Sequence, residues 1–325
     1  MATITGSGRL VTVFGGSGFL GRHVVRALAR RGWRVRVAVR RPDLAGHLQP
    51  LGIVGQIHAV QANLRYRGSV ERAVAGADAV INLVGILAPS GAQTFDAVQA
   101  EGARVVADAA KAAGTTRFVH VSAIGADPRS ASAYARTKAA GEAAAFAAMP
   151  DAVVLRPSIV FGPEDDFFNR FAEMARFAPA LPLIGGGRTR FQPVYVGDVA
   201  TAVAEAADGR VPGGTVYELG GPEVKSFREL MEIVLKETQR KRALVNLPFG
   251  AAEALAKLTA WLPGAPLTLD QVELLKTDNV VSEDAIRDDR TLAGLGIEPH
   301  SLAAILPTYL YRYMRHGQYD RHKPV

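Results

Sequence analysis

Tyr134 and Lys138, in the stretch SASAYARTKAAGEAAA, stand four residues apart, which puts both on one face of a helix. An ammonium beside a phenol favours the phenolate, so the tyrosine can act as general acid or base at a carbonyl or carbinol oxygen. The same lysine can bind the ribose of a nicotinamide nucleotide. Tyr-x-x-x-Lys is common by chance, so the pair takes its meaning from the elements around it.

A second stretch supplies that setting. In VFGGSGFLGRHVVRAL, Gly15, Gly18 and Gly21 fall three apart between an apolar run (Leu10, Val11, Val13, Phe14) and a helix-like segment. In a strand–turn–helix the first glycine permits the tight bend, the second lets a pyrophosphate approach the backbone, and the third lets the helix pack on the sheet. The helix start adds amide donors and positive dipole. This assigns Gly15, Ser17, Gly18, Phe19, Leu20, Gly21 and Arg22 to a cofactor turn. The spacing is not the commoner Gly-x-Gly-x-x-Gly, and alone it also fits a plain tight turn. Its place after the first strand of a βαβ pattern selects dinucleotide binding.

The end of the second strand then distinguishes the cofactors. An acidic residue there bonds the ribose 2′-hydroxyl of NAD, whereas a basic one accommodates the 2′-phosphate of NADP. The chain reads VRVAVRRPD, with Arg40 and Arg41 at that place and no carboxylate before Asp43. NADPH is therefore expected in preference to NAD(H), with Arg22 near enough to help. The alternative is that Arg40 and Arg41 are solvated loop charges.

The elements that must hold these residues are legible as an alternation. Strands are expected at Leu10–Phe14, Val35–Val39, Gln56–Gln61, Ala79–Val84, Arg117–Ser122 and Ala152–Leu155, and helices near 19–31, 69–76, 93–113 and 133–149. Near-continuous apolar strands alternating with helices mean a parallel sheet covered on both faces. The right-handed crossover rule then leaves a doubly wound α/β sheet, the Rossmann fold. Beyond residue 160 Pro and Gly become frequent and helices at 226–239 and 250–261 alternate with short strands. The expected division is a dinucleotide-binding domain over 1–160 and a smaller C-terminal α/β lobe over 161–325, with returning segments and a basic aromatic tail.

Composition narrows the rest. The 325 residues, 48% of them hydrophobic, suffice for one large core or two unequal ones. With no cysteine, disulfides, thiolate metal sites and cysteine nucleophiles are excluded. The seven histidines lack ligand spacing, so no metal site is expected. Arg9 interrupts the first apolar run, which argues against a cleaved secretory signal, and no apolar run approaches the roughly 18–20 residues of a membrane span. A cytoplasmic protein is expected, at most peripheral on a membrane. The net charge of +7 and pI near 9.8 favour anionic partners. The basic residues are scattered without interleaved aromatics, so no direct nucleic-acid binding is expected.

Taken in order, GGSGFLG, NLVG (Asn82–Gly85), FVHVSA (Phe118–Ala123), Tyr134/Lys138, LRPSIVFGP (Leu155–Pro163) and PVYVGDVA (Pro193–Ala200) carry a resemblance. The chain resembles the extended or atypical short-chain dehydrogenase/reductases, the NAD-dependent epimerase/dehydratase type, over about residues 9 to 240. The resemblance implies that Asn63 and Leu64 flank the adenine, that Asn82, Leu83, Val84 and Gly85 line the cofactor, and that Pro157, Ser158 and Ile159 meet the nicotinamide side. It also implies a Ser or Thr at the end of the fifth strand to bond the substrate oxygen. Here that place falls on Ala123, with Ser122 one residue early. Ser122 serves, or Ser130 or Ser132 substitutes, or the hydroxyl is missing. The loop from Ser122 to Tyr134 is also short for a nucleotide-sugar site.

Within this superfamily, GFLGRHVV, the arginine closing strand two, the serine-rich lead into YARTKAAGE, and LTLDQVELLKTDNVVS (Leu267–Ser282) resemble the nucleotide-binding accessory subunit of respiratory complex I and its bacterial relatives. That resemblance implies NADPH held as a structural ligand, peripheral-arm subunits as partners, and attachment to the cytoplasmic face of the inner membrane through them. The alternative is an active NADPH-dependent reductase or epimerase acting through Tyr134 and Lys138 on an unidentified carbonyl or quinone-type molecule. Elsewhere, Glu164, Asp165 and Asp166 read as an exposed acidic turn, His120 as a core residue, and Trp261 with Leu255 and Leu258 as core-facing on an amphipathic helix. A membrane interface or partner is the other reading of Trp261. The tail YLYRYMRHGQYDRHKPV reads as a partly ordered arm or a docking element for an anionic surface.

Overall fold

The computed structural model describes residues 8–259, 261 and 267–315, in two compact units. The first unit runs to Pro157 and also takes in Val196–Leu219 and Glu283–Ile297; the second comprises Ser158–Tyr195, Gly220–Ser282 and the segment from Glu298.

The first unit is built on seven parallel strands. Six are β1 (Leu10–Phe14), β2 (Arg34–Val39), β3 (Ile57–Gln61), β4 (Ala79–Asn82), β5 (Arg117–Val121) and β6 (Val153–Pro157); the seventh is Thr215–Leu219. Their order across the sheet is Thr215–Leu219, β6, β5, β4, β1, β2, β3. The middle strands β1 and β4 are largely apolar because both their faces are buried. Phe14, Val80 and Phe118 pack under α2 (Arg67–Val74), α3 (Glu101–Ala112) and α4 (Ala133–Ala148). α1 (Phe19–Arg30) packs beside the helix Val196–Asp208. The doubly wound sheet is thus as expected. Strand order reverses between β1 and β4, the switch point at which such sheets take ligands beyond the carboxyl ends of their strands.

The sequence reading left Val196–Leu219 in the second lobe. The structure returns it to the first, because Thr215–Leu219 extends the sheet in register with β6, Tyr217 beside Leu155. Two ionic clusters fasten the return. Arg31 bridges Glu205 (2.6 Å) and Asp208 (2.9 Å), while the Trp33 indole donates to Asp208 (2.9 Å). Arg156 pairs with Glu142 (2.6 Å) and lies 3.6 Å from Glu218. Farther along, Glu218 donates its amide to the Arg290 carbonyl (2.9 Å), which binds Glu283–Ile297 to the same strand.

The second unit has its own core of Phe161, Phe168, Leu181, Leu183, Phe227, Leu230 and Leu306, joined by Tyr309 and Leu310. Three expectations change here. Glu164 and Asp166 are exposed, but Asp165 is buried. It accepts the Tyr309 hydroxyl (2.5 Å) and the amides of Gly162 and Asn169 (3.1 Å each). Burial raises its pKa against those bonds. The start of the expected tail is therefore core at Tyr309 and Leu310, held by apolar packing and this carboxylate. Residues 316–325 of it lie outside the described residues. Finally, the helix Phe249–Thr259 buries Ala252 and Ala256, leaving Leu258 (72%) and Trp261 (78%) exposed. Among the described residues no helix is long and apolar enough to cross a membrane.

Candidate functional site

The glycine turn follows β1 directly. Gly15 has φ +79°, a conformation side chains disfavour. A Cβ on Gly21 would lie 2.2 Å from the Gly15 carbonyl oxygen and 2.6 Å from Gly16, so only glycine lets α1 close on the turn. The N-cap of α1 is Gly18, which gives no side-chain acceptor, and the first turn of the helix holds no acidic residue. The helix itself thus offers its leading amides no side-chain anion. Gly15 also abuts the end of β4, where an added Cβ would stand 3.3 Å from Val84.

At the end of β2 the two arginines differ. Arg41 binds Asp43 through Nε (3.0 Å) and a terminal nitrogen (2.7 Å); that hydrogen bond and charge hold Asp43 below the usual carboxylate range. Arg40 is exposed, with no side-chain partner among the described residues. Past β3, Asn63 is half-buried, its side chain accepting the Arg65 amide (3.1 Å). Leu64 is buried against Gly102. Ser17, Phe19, Leu20 and Arg22 are half-buried around the turn.

Leu83, Val84 and Gly85 are set by a pair the sequence reading missed. Asn82, fully buried, accepts the Val84 amide (3.2 Å) and places its own amide 3.3 Å from His120 Nδ1. His120 is core, as expected. Burial, and then the Lys138 charge, push its pKa down to about 3, so it stays neutral. A π-helical turn, Asp96–Ala100, precedes α3. From it Gln99 donates to the Ile86 carbonyl (2.7 Å) and accepts the Thr137 hydroxyl (2.9 Å), tying the loop after β4 to α4. The one legible trace was Gly141, where a Cβ would lie 2.5 Å from the Gln99 carbonyl oxygen.

Tyr134 and Lys138 share a face of α4. Ser132 caps the helix by accepting the Ala135 amide (3.2 Å). Tyr134, half-buried, meets Phe95 edge-on at 5.9 Å. Lys138 is buried; its Nζ donates to the Val121 carbonyl (3.2 Å) and lies 5.8 Å from the Tyr134 ring centre. A Cβ on Gly85 would be 3.2 Å from that Nζ. Burial lowers Lys138 to about 8, with Glu142 opposing. Of the candidate hydroxyls, Ser132 is the cap and Ser130 accepts the Ser132 amide (3.1 Å). Ser122 is buried, its hydroxyl without a hydrogen-bond partner among the described residues. The structure therefore brings Lys138, Tyr134, Gly85 and the end of β5 together, and Gly15, Gly21 and Val84 at the turn. Pro157 closes β6, its carbonyl accepting the Ile124 amide (3.0 Å). In the second unit, Ser158 spends its hydroxyl on Asn279 (2.6 Å to the side-chain oxygen), and the Ile159 carbonyl takes the Val194 amide (2.9 Å).

A doubly wound parallel sheet with a glycine turn at β1 and a Tyr–Lys pair on the helix after β5 defines a Rossmann-like protein. The chain belongs to the NAD dependent epimerase/dehydratase family, whose profile matches residues 11–220. It is 37% identical over 324 residues to NADH dehydrogenase [ubiquinone] 1 alpha subcomplex subunit 9, mitochondrial, of Arabidopsis thaliana, across 96% of this chain and 79% of that one. To the NADH-ubiquinone oxidoreductase 40 kDa subunit, mitochondrial, of Neurospora crassa it is 31% identical, across 96% and 82%. A ceramide reductase of Caulobacter vibrioides is 34% identical across 78% of each chain. Among solved structures, a dTDP-glucose 4,6-dehydratase from Streptomyces venezuelae with NAD bound superimposes with a TM-score of 0.71 at 21% identity, over 94% of this chain and 96% of that one, a likeness of fold.

Proposed function

We propose that this protein holds NADPH in its first unit and serves as an accessory subunit of respiratory complex I. One observation carries the nucleotide half: the start of α1, closed on a glycine-rich turn, offers amides that no acidic or capping side chain of the helix takes up. Those amides suit a pyrophosphate. Gly15, Ser17, Gly18 and Gly21 would line it, Arg40 would meet the 2′-phosphate with Arg41 and Arg22 nearby, and Asn63 and Leu64 would flank the adenine. Leu83, Val84, Gly85 and Lys138 would hold the ribose side, and Pro157 the nicotinamide side. Bound NADPH supplies hydride chemistry. The partner half rests on the two complex I relatives, each matched over 96% of this chain and so through both units. Membrane attachment is then peripheral, through the peripheral-arm subunits of the complex on its cytoplasmic side.

A second reading, turnover, is favoured by Ser122. A buried hydroxyl without a partner among the described residues, at the end of β5 with Lys138 on the preceding carbonyl, can donate to a substrate oxygen while Tyr134 passes it a proton and Lys138 favours the phenolate. The Caulobacter ceramide reductase is a relative named for such chemistry.

Gentle purification followed by identification of the released nucleotide and the associated proteins tests both. NADPH and peripheral-arm subunits are expected, with the nucleotide surviving exposure to carbonyl and quinone compounds. Rapid oxidation of bound NADPH by one of these overturns the structural role in favour of turnover. Titration should show NADPH binding more tightly than NADH, and Arg40→Glu should abolish the preference; equal affinities in the wild type refute the NADPH assignment.

A further inference from the structure

One end of the second unit gathers cations that neither the nucleotide site nor the core uses. The helix Phe168–Phe177 ends there, and the chain leaves the helix Phe227–Glu237 there through Gln239, at φ +54°. Residues 311–315 join them. Arg176, Arg240, Lys241, Arg242, Arg312 and Arg315 bring positive charge to these segments, against the carboxylates of Glu173 and Glu237. Hydrogen bonds tie the segments into one patch. Arg242 donates Nε to the Ala175 carbonyl (2.8 Å) and a terminal nitrogen to that of Arg176 (3.3 Å). Arg240 donates Nε to the Tyr313 carbonyl (3.0 Å), and Arg312, 5.1 Å from the Tyr313 ring centre, donates to the Pro163 carbonyl (3.0 Å). Burial, and then the charges of Arg242, Arg176 and Arg315, hold the Arg240 guanidinium below its ordinary value, with Glu173 opposing.

Part of this charge serves the fold. Arg242 satisfies the last carbonyls of the helix Phe168–Phe177, whose end is negative, and Arg176 pairs with Glu173 (3.1 Å). Arg240 and Arg312 lean on neutral acceptors, backbone carbonyls and the Asn169 side chain, so their charge is fixed in place without being cancelled. Lys241 and Arg315 are exposed and form no ion pair among the described residues, nor does Glu237. Residues 316–325 add Arg321 and Lys323 against Asp320, so the continuing chain brings further positive charge. Two aromatic rings lie open beside these cations: Phe177, 76% exposed with Arg176 5.2 Å from its ring centre, and Tyr311, 39% exposed.

We propose that this end of the second unit is a docking surface for an acidic protein segment, with Phe177 as its apolar anchor. The proposal deepens the accessory-subunit reading, and rests on it only for which complex supplies the partner. The make-up of the patch favours a protein. All but one of its cations are arginines, and a guanidinium fixed in direction matches carboxylates bidentately. Arginine beside an exposed aromatic ring is the composition of interface centres, from which lysine is depleted. A lipid surface is served instead by flexible cationic side chains that snorkel and by the apolar face of an amphipathic helix, whereas here Arg240, Arg242 and Arg312 are pinned to backbone carbonyls. Opposite charge on the partner would steer its approach in a salt-dependent way.

The full chain, as purified, is titrated calorimetrically at low ionic strength with a short peptide alternating Glu and Leu, and with its Glu/Ser counterpart. Lys241→Gln/Arg315→Gln is compared with Arg26→Gln/Arg30→Gln, exposed arginines of α1. Lys241 and Arg315 are exposed and make no side-chain hydrogen bond among the described residues, so the fold persists, which circular dichroism verifies. Wild type and the α1 variant should bind the Glu/Leu peptide alike, and the Lys241/Arg315 variant about tenfold more weakly. Phe177→Ser should lose about fivefold for Glu/Leu and nothing for Glu/Ser. Equal binding by wild type and the Lys241/Arg315 variant overturns the proposal, as does an equal loss in the α1 variant, which marks general attraction to a basic chain. Flotation with phosphatidylglycerol vesicles that depends on Lys241 and Arg315, without peptide binding that does, assigns the patch to a membrane and also overturns it. Co-purification separates the two readings. Patch-dependent peptide binding by a chain that brings down no peripheral-arm subunit supports the docking surface and refutes the accessory role. Co-purifying subunits without patch-dependent peptide binding refute the docking surface alone.

Discussion

Replacing Lys138 by methionine keeps the aliphatic stem and removes the buried ammonium, and the structure gives the consequence a sign. Burial lowers Lys138 from the ordinary 10.5 to about 8, a difference worth about 3 kcal/mol. Because the folded value lies below the unfolded one, the unfolded chain binds the extra proton between these limits. Stability from this group is lowest below pH 8, rises between about pH 8 and 10.5, and is level above. The variant has no such rise. It does leave the Val121 carbonyl without its 3.2 Å donor, a cost of about 1–3 kcal/mol at every pH. At pH 7 the variant should thus range from level with the wild type to about 2 kcal/mol more stable. Above pH 10.5 it should be about 1–3 kcal/mol less stable. The assay is urea unfolding of the nucleotide-free protein in a Tyr134→Phe/Trp261→Phe background. That background removes the neighbouring phenol and leaves Trp33, buried in the first unit, as the reporter. A wild-type-minus-variant difference that stays constant within about 1 kcal/mol from pH 7 to 10.5 would refute the assignment of a dry, strongly perturbed lysine.

Gly21→Ala forces a Cβ to within 2.2 Å of the Gly15 carbonyl oxygen; it should cost roughly 1–3 kcal/mol and weaken NADPH binding, whereas Gly68→Ala in α2, with only the Arg72 side chain near (3.7 Å), should be neutral or stabilising by calorimetry. His120, held near 3 by burial, contributes stability that is present above pH 6.5 and lost as pH falls toward 3. His120→Asn should flatten that acid limb by up to about 5 kcal/mol, and an unchanged limb in acid titrations would contradict a neutral buried imidazole. Tyr309→Phe removes the hydroxyl that serves buried Asp165 and should lower stability by about 1–3 kcal/mol, seen as a lower urea midpoint for the second unit followed by Trp261 fluorescence.

The sheet was legible because its middle strands are doubly buried and so read as largely apolar runs, and because β1, β3, β4 and β5 are each followed by a helix. Thr215–Leu219 escaped for the opposite reasons. Its sequence, TVYEL, mixes polar and apolar residues, and its partner β6 lies some sixty residues back with part of another unit between. The glycines announced the turn because only they fit a left-handed bend and a helix so close that a Cβ on Gly21 would stand 2.2 Å from the Gly15 carbonyl oxygen. The buried Asn82–His120 pair was invisible, since its meaning is a contact between neighbouring strands. Asp165 misled because its acceptor role depends on Tyr309, 144 residues away. Trp261 misled because the helix before it packs through Ala252 and Ala256: small residues allow close approach, so the bulky face is the outward one.

The passage of the chain between its two units has a consequence for its synthesis and its evolution. It changes unit five times, so a ribosome that has delivered the first six strands has not delivered a finished sheet. β6 keeps an open edge until Thr215–Leu219 emerges, and that strand waits for Arg290 to receive its Glu218 amide. An unpaired edge of this kind invites pairing with other chains, and long-range strand pairing is slow. The two units therefore mature together late in translation, and nascent chains shorter than about Ile297 should depend on chaperones. Neither unit can be exchanged between relatives as a single cassette, because each is encoded in three separate stretches of the chain.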